Sequence, residues 1–169
     1  MYNALTIAHY FVSKSINSNV KITVHQAEFM VLFAHGWHLA IDGRPLIHDQ
    51  AKAWRHGPVI EVVHKFYSKQ KDIAAILNIE MMEQIKDRDR DFLDGLWRYY
   101  IDLSEIQMLD LCTDYGTPWY MVHGKSSGAL LIDDKRIKQH YRLLHISHPE
   151  FADIDDPFST LGLEGRIGA

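Results

Sequence analysis

The sequence holds one cysteine, Cys112. An internal disulfide framework is therefore excluded, and such sparing use of sulfur fits a reducing compartment. No apolar run approaches the roughly 18 residues that a membrane span needs. The opening "MYNALTIAHYFVSKSIN" lacks the ordered basic region, apolar block and small-residue cleavage site of a secretion signal. Together these absences predict a cytoplasmic protein with no membrane partner. Blocks of lysine or arginine are missing as well, and the net charge is -4 with histidines neutral. A nucleic-acid backbone is gripped by clustered Lys and Arg, so a general nucleic-acid binder is disfavoured. The nearest thing to a charge run, "KDRDRDF" (Lys86 to Phe92), alternates in sign and reads as a solvated helix start. No internal repeat is visible.

What is present is a chain of 169 residues, 47% hydrophobic and 24% charged. That length predicts one domain able to bury about 70% of the surface its unfolded chain exposes. The domain is expected over residues 1–148, with 149–169 as an extended or mobile C-terminal extension rich in acid and glycine. Leu5, Ala8, Phe11, Val12 and Ile16 form one helical stripe. Thr23 with Gln26 makes a capping box, and apolar residues from Val24 to Ile41 predict a long central helix that Gly43 ends. Between Arg44 and Trp54, short apolar pieces around Pro45 predict a small hairpin. Pro58 suits a first helical position, so "HGPV" predicts a helix restart with Val59, Val62, Val63, Phe66 and Tyr67 buried. Residues 70–90 read either as one helix or as an apolar connection broken at Asn78. Further helices are expected from about Asp89, from Ser104 with Gln107 as a second capping box, at a short turn from Pro118, and after Asp133 or Asp134. The fold class is mostly α (α+β): a compact helical domain around a long central helix with one small β-hairpin element.

The chemistry-bearing residues crowd into "AHGWHLAIDGRPLIHDQAKAWRHGPV", residues 34–59, with four histidines and two tryptophans. His35 and His38 share a helix face, and His48 with Asp49 lies just beyond, which on paper suffices for a zinc-dependent hydrolase. There is no H-E-x-x-H, no cysteine pair and no acid between the two helical histidines to act as base. Without a metal, His38 is expected partly buried and hydrogen-bonded to the hairpin, and His35 at the surface. Cys112 falls on an apolar helix face, where a thiol is an inert hydrophobe. "HGKSSG" at 123–128 lacks the spacing of a phosphate loop. Trp37, Trp54, Trp97 and Trp119 are expected in the core, each with one N–H that wants a partner. No catalytic residue, metal or cofactor is therefore expected, and the residues describe a binding module. If the Trp54 ring is buried, Trp54→Ala should cost about 3–5 kcal/mol.

The order of these features resembles the Panacea domain family, the antitoxin domain of SocA-like and phage-associated GepA-like proteins. The resemblance rests on Gly36, Trp37, His38 and Leu39, then Gly43, Pro45 and Leu46, then Ala53, Trp54, Gly57, Pro58 and Val59, and downstream on Pro118 and Trp119. It covers roughly residues 4–144. His35 stands where the family commonly has glutamine, and Asp114 and Tyr115 depart from its usual pattern before the P-W turn. The resemblance implies an antitoxin that neutralises a co-encoded toxin by binding it, or that presents it to a host protease such as a ClpXP-type machine. The alternatives are a phage or prophage interaction protein with a host target, or the His/Asp hydrolase above. Exposed Arg44, His48, Arg55 and His56 are the expected partner contacts. No basic recognition helix supports transcriptional autoregulation.

Overall fold

The computed structural model describes residues 1–70, 76–123 and 130–147. Among them are eight helices and a three-stranded antiparallel sheet, a mostly helical architecture with a small β element. The C-terminal extension, the glycine- and serine-rich part of "HGKSSG" and residues 71–75 lie outside the described residues.

Helix α1 (Ala4–Asn17) is capped by the Asn3 side chain, which accepts from Leu5 N–H at 2.8 Å. Helix α2 (Val24–Ile41) starts at the Thr23–Gln26 capping box, with both reciprocal bonds formed. Its residues from Ala27 to Trp37 are buried without a break, because α1, α3, α5, α6 and α8 pack around it. A helix apolar on most of its sides belongs at the centre, and here it is. Gly43 follows at φ +79°, a left-handed conformation that glycine adopts without Cβ strain.

The hairpin is real but begins later than the sequence suggested. Strands β1 (Ala51–Trp54) and β2 (Gly57–Val59) pair antiparallel, with Ala53 opposite Pro58, while residues 44–49 run irregularly past Tyr2. The expected helix restart at Pro58 is thus corrected: Gly57, Pro58 and Val59 form a strand, and α3 (Glu61–Tyr67) starts two residues later. The physical reason is the sheet order β2-β1-β3, which puts β2 at an edge, where a proline's missing N–H breaks no ladder. Strand β3 (Leu130–Ile132) flanks β1 on its other side.

Asn78 caps the short α4 (Ile79–Glu83), accepting from Met81 N–H. Then come α5 (Asp87–Tyr100), α6 (Glu105–Thr113) from its Ser104–Gln107 capping box, α7 (Pro118–Val122) with proline in its first turn, and α8 (Asp134–Ser147). Helix α8 folds back over α2 at Gly36. A Cβ built there would lie 2.2 Å from Tyr141 Cε2, so only glycine lets the two helices meet this closely. Trp37, fully buried beside it, donates its indole N–H to the Tyr100 hydroxyl at 2.8 Å and meets the Tyr141 ring edge-on at 5.2 Å.

Candidate functional site

Trp54, at the turn end of β1, and Trp119, on α7, join the hairpin to the helices. Trp119, 9% exposed, donates Nε1–H to the Trp54 carbonyl at 2.8 Å and so ties α7 to β1. The Trp54 ring itself is only half-buried and meets the His64 ring edge-on at 5.1 Å. Gly57, at φ +148°, sits against α6: a Cβ there would come within 3.0 Å of Leu109 Cδ1. The hairpin turn, Arg55 and His56, therefore abuts α6 and α7 with both side chains exposed. The same two helices carry an exposed apolar group: Tyr115 (88% exposed), between them, meets Tyr120 (48%) on α7 edge-on at 5.2 Å, and the exposed Met121 follows Tyr120 in the chain.

Arg44 and His48 are exposed too, but not with that group. Arg44 is held by Asp42 at 2.7 Å, past the C-terminal end of α2. The Trp54–His64 contact, in turn, lies near the N-terminal end of α2, where His64 stacks with His25. His25 and Asp42 are seventeen positions apart, about 25 Å of helix. His48 lines a separate cleft with Leu5, Lys52, Glu61 and Phe66. Arg55 and His56 thus share one turn, whereas Arg44 lies beyond the C-terminal end of α2 and His48 lines its own cleft.

The histidines first considered as metal ligands are each otherwise engaged. His35 is 2% exposed, a correction to its expected surface position, because α8 covers it. Its Nε2–H donates to Asp134 at 3.0 Å, and its Nδ1 lies 3.5 Å from the Ile47 N–H. His38 is partly buried as expected, donating Nδ1–H to the Arg44 carbonyl at 2.7 Å in the loop before the hairpin. His48 pairs with Asp49 at 3.3 Å, while the Asp49 carboxylate also caps α1 through Ala4 N–H. Cys112 is buried, and desolvation pushes its thiol pKa up, which disfavours the thiolate.

Another cluster does converge. His25 and Glu28 are one turn apart on α2, and His64 on α3 meets them, with one potential ligand atom from each lying within 4.8 Å of the others. Glu28 is 1% exposed. Burial raises its carboxyl above the usual range, an effect that His64, with Nδ1 2.8 Å from Oε1, opposes. Glu105 accepts from His25 Nδ1–H at 2.9 Å and also from the Thr23 hydroxyl. Burial alone would raise Glu105, but these two hydrogen bonds outweigh it and hold the carboxyl below the usual range. Sequence reasoning missed this cluster: the three-residue spacing of His25 and Glu28 on α2 was the one local signal, and His64 carried none.

The family model "Antitoxin SocA-like, Panacea domain" matches residues 30–120, from the middle of α2 through the start of α7. The chain belongs to this family. A curated relative, Antitoxin SocA of Caulobacter vibrioides (strain NA1000 / CB15N), is 28% identical over 163 residues, covering 86% of this chain and 85% of the relative. No solved structure matches the chain. Within the Panacea segment the signature residues have distinct physical duties. Gly36 admits α8, Trp37 fills the centre, Gly43 ends α2, and Gly57 lets β2 press on α6.

Proposed function

We propose that the protein is an antitoxin that neutralises a co-encoded toxin by direct binding and has no catalytic activity of its own. The observation that carries this reading is the relationship to Antitoxin SocA along most of both chains. The exposed aromatic corner supports it. Tyr115, Tyr120 and Met121 present apolar surface of the kind enriched at protein interfaces. Arg55 and His56, on the turn held against the same two helices, add polar contacts. We place the toxin on this corner, while Arg44 and His48 belong to other surfaces. A toxin that acts within the cell producing it requires its antitoxin in the same compartment, so the reading also places the protein in the cytoplasm.

The test is co-expression with the product of the adjoining reading frame. The expected result is rescue of growth and co-purification of the two chains. Tyr115→Ala with Tyr120→Ala should abolish both, because exposed aromatic anchors at an interface cost about 2 kcal/mol or more each. Arg44→Ala should leave rescue intact. Rescue that disappears in a host lacking its ClpXP-type protease identifies delivery for degradation. Co-purification of a host protein, without rescue, identifies a phage-type interaction protein.

A further inference from the structure

We propose that His25, Glu28 and His64 form a binding site for a divalent transition-metal ion of the zinc class, linking the start of α2 to α3. This goes beyond the antitoxin reading and does not depend on it.

The donor set is two imidazoles and one carboxylate, a combination that suits zinc and its neighbours rather than magnesium or calcium. The potential ligand atoms lie within 4.8 Å of one another. Tetrahedral bonds of about 2.0–2.2 Å separate neighbouring ligand atoms by roughly 3.4 Å, so small side-chain movements complete the geometry. The present 2.8 Å contact between His64 Nδ1 and Glu28 opens slightly as the proton between them is replaced by the ion. Binding at Nδ1 needs the neutral His64 imidazole with its proton on Nε2, the form in which an imidazole ligates a metal.

Two further features distinguish this cluster from an ordinary ion pair. The Glu28 carboxylate is buried and paired with the partly exposed His64, and a buried anion is costly unless fully compensated. A divalent ion supplies that compensation. His25 meanwhile gives Nδ1–H to Glu105, which leaves Nε2 for a metal. A carboxylate that holds the far nitrogen in this way orients a ligating imidazole and raises its basicity. Because the His25 side chain is 53% exposed, an ion has a route in from solvent, and a fourth position stays open to water or a partner's side chain.

The experiment uses the full chain without an affinity tag, stripped with chelator and titrated with zinc against a chromophoric competitor, with thermal melting in parallel. The expected result is one equivalent of zinc bound, a higher melting temperature with zinc, and no response to magnesium. His25→Ala removes an exposed ligand without disturbing the core, and Glu28→Gln keeps the shape of a buried one. Each should weaken zinc binding by about 100-fold or more, above the 10–100-fold typical for outer-sphere residues. Absence of stoichiometric uptake overturns the proposal, as does uptake that His25→Ala leaves unchanged, since the ion would then be held elsewhere. No toxin enters this measurement, so its failure and the failure of the antitoxin reading are distinguishable.

Discussion

Gly36→Ala inverts the usual rule for helices. At an ordinary interior position alanine is favoured over glycine by about 1 kcal/mol. At Gly36 the new methyl would lie 2.2–2.5 Å from three atoms of the Tyr141 ring. Ordinary carbon contacts are about 3.5–4.0 Å, so the ring or helix α8 has to move by more than about 1 Å. Neither movement is free. Tyr141 meets Trp37 edge-on at 5.2 Å, and α8 also supplies Asp134, whose carboxylate bonds buried His35. Overpacking of this kind costs about 2–3 kcal/mol, which the gain in helix propensity reduces to a net loss of about 1–2 kcal/mol. For a chain this long that lowers Tm by about 2–8 °C. Calorimetry of the single variant, of Tyr141→Ala and of the pair measures the coupling. In the Tyr141→Ala background the alanine at 36 should be neutral or stabilising. A Tm that rises in Gly36→Ala, or a loss that Tyr141→Ala leaves unchanged, refutes the close approach of α8.

Three other perturbations are equally direct. Tyr100→Phe removes the acceptor of the Trp37 indole N–H and should cost about 1 kcal/mol in urea unfolding; no change would show that the bond contributes nothing. Trp54→Ala should cost about 2 kcal/mol, less than for a buried ring, because the ring is half-buried and the bond from Trp119 is to its backbone; a loss above about 4 kcal/mol would contradict that exposure. Burial lowers the pKa of His9, whose Nδ1 accepts from the Tyr67 hydroxyl at 2.7 Å, and burial acts in the same direction on His140. The unfolded chain then takes up these protons more readily than the fold does. Their contribution is complete above the ordinary histidine value of 6.5 and is lost as pH falls through the lowered folded values. Urea midpoints between about pH 7.5 and 5 should fall less steeply in His9→Gln, and equal slopes would remove His9 from that dependence.

Local chemistry was legible and long-range contact was not. The Thr23–Gln26 and Ser104–Gln107 boxes marked the starts of α2 and α6, because caps are written within four residues of sequence. Pro58 misled, since the same ring suits a helix start and an edge strand, and only the sheet order decides. Strand β3 pairs with residues nearly eighty positions earlier and offers just "LLI" to announce itself. His35 was expected outside because nothing near it indicates that α8 returns to cover it, ninety-nine residues on. The candidate site divides in the same way. Arg55 and His56 were expected to be exposed, whereas the placing of their turn against α6 and α7 depends on how those helices pack. His25 and Glu28 went unremarked, since a three-residue spacing alone is common, and the fold alone brings them His64.

The most direct measurement is toxicity rescue. The adjoining reading frame is induced alone, with this protein, and with the Tyr115→Ala, Tyr120→Ala variant, and both chains are followed through purification. An antitoxin that works by direct binding restores growth and co-purifies in equal amounts, and the variant does neither while melting as the parent does. Growth arrest that persists beside the intact protein, or rescue by a variant that no longer binds, contradicts it.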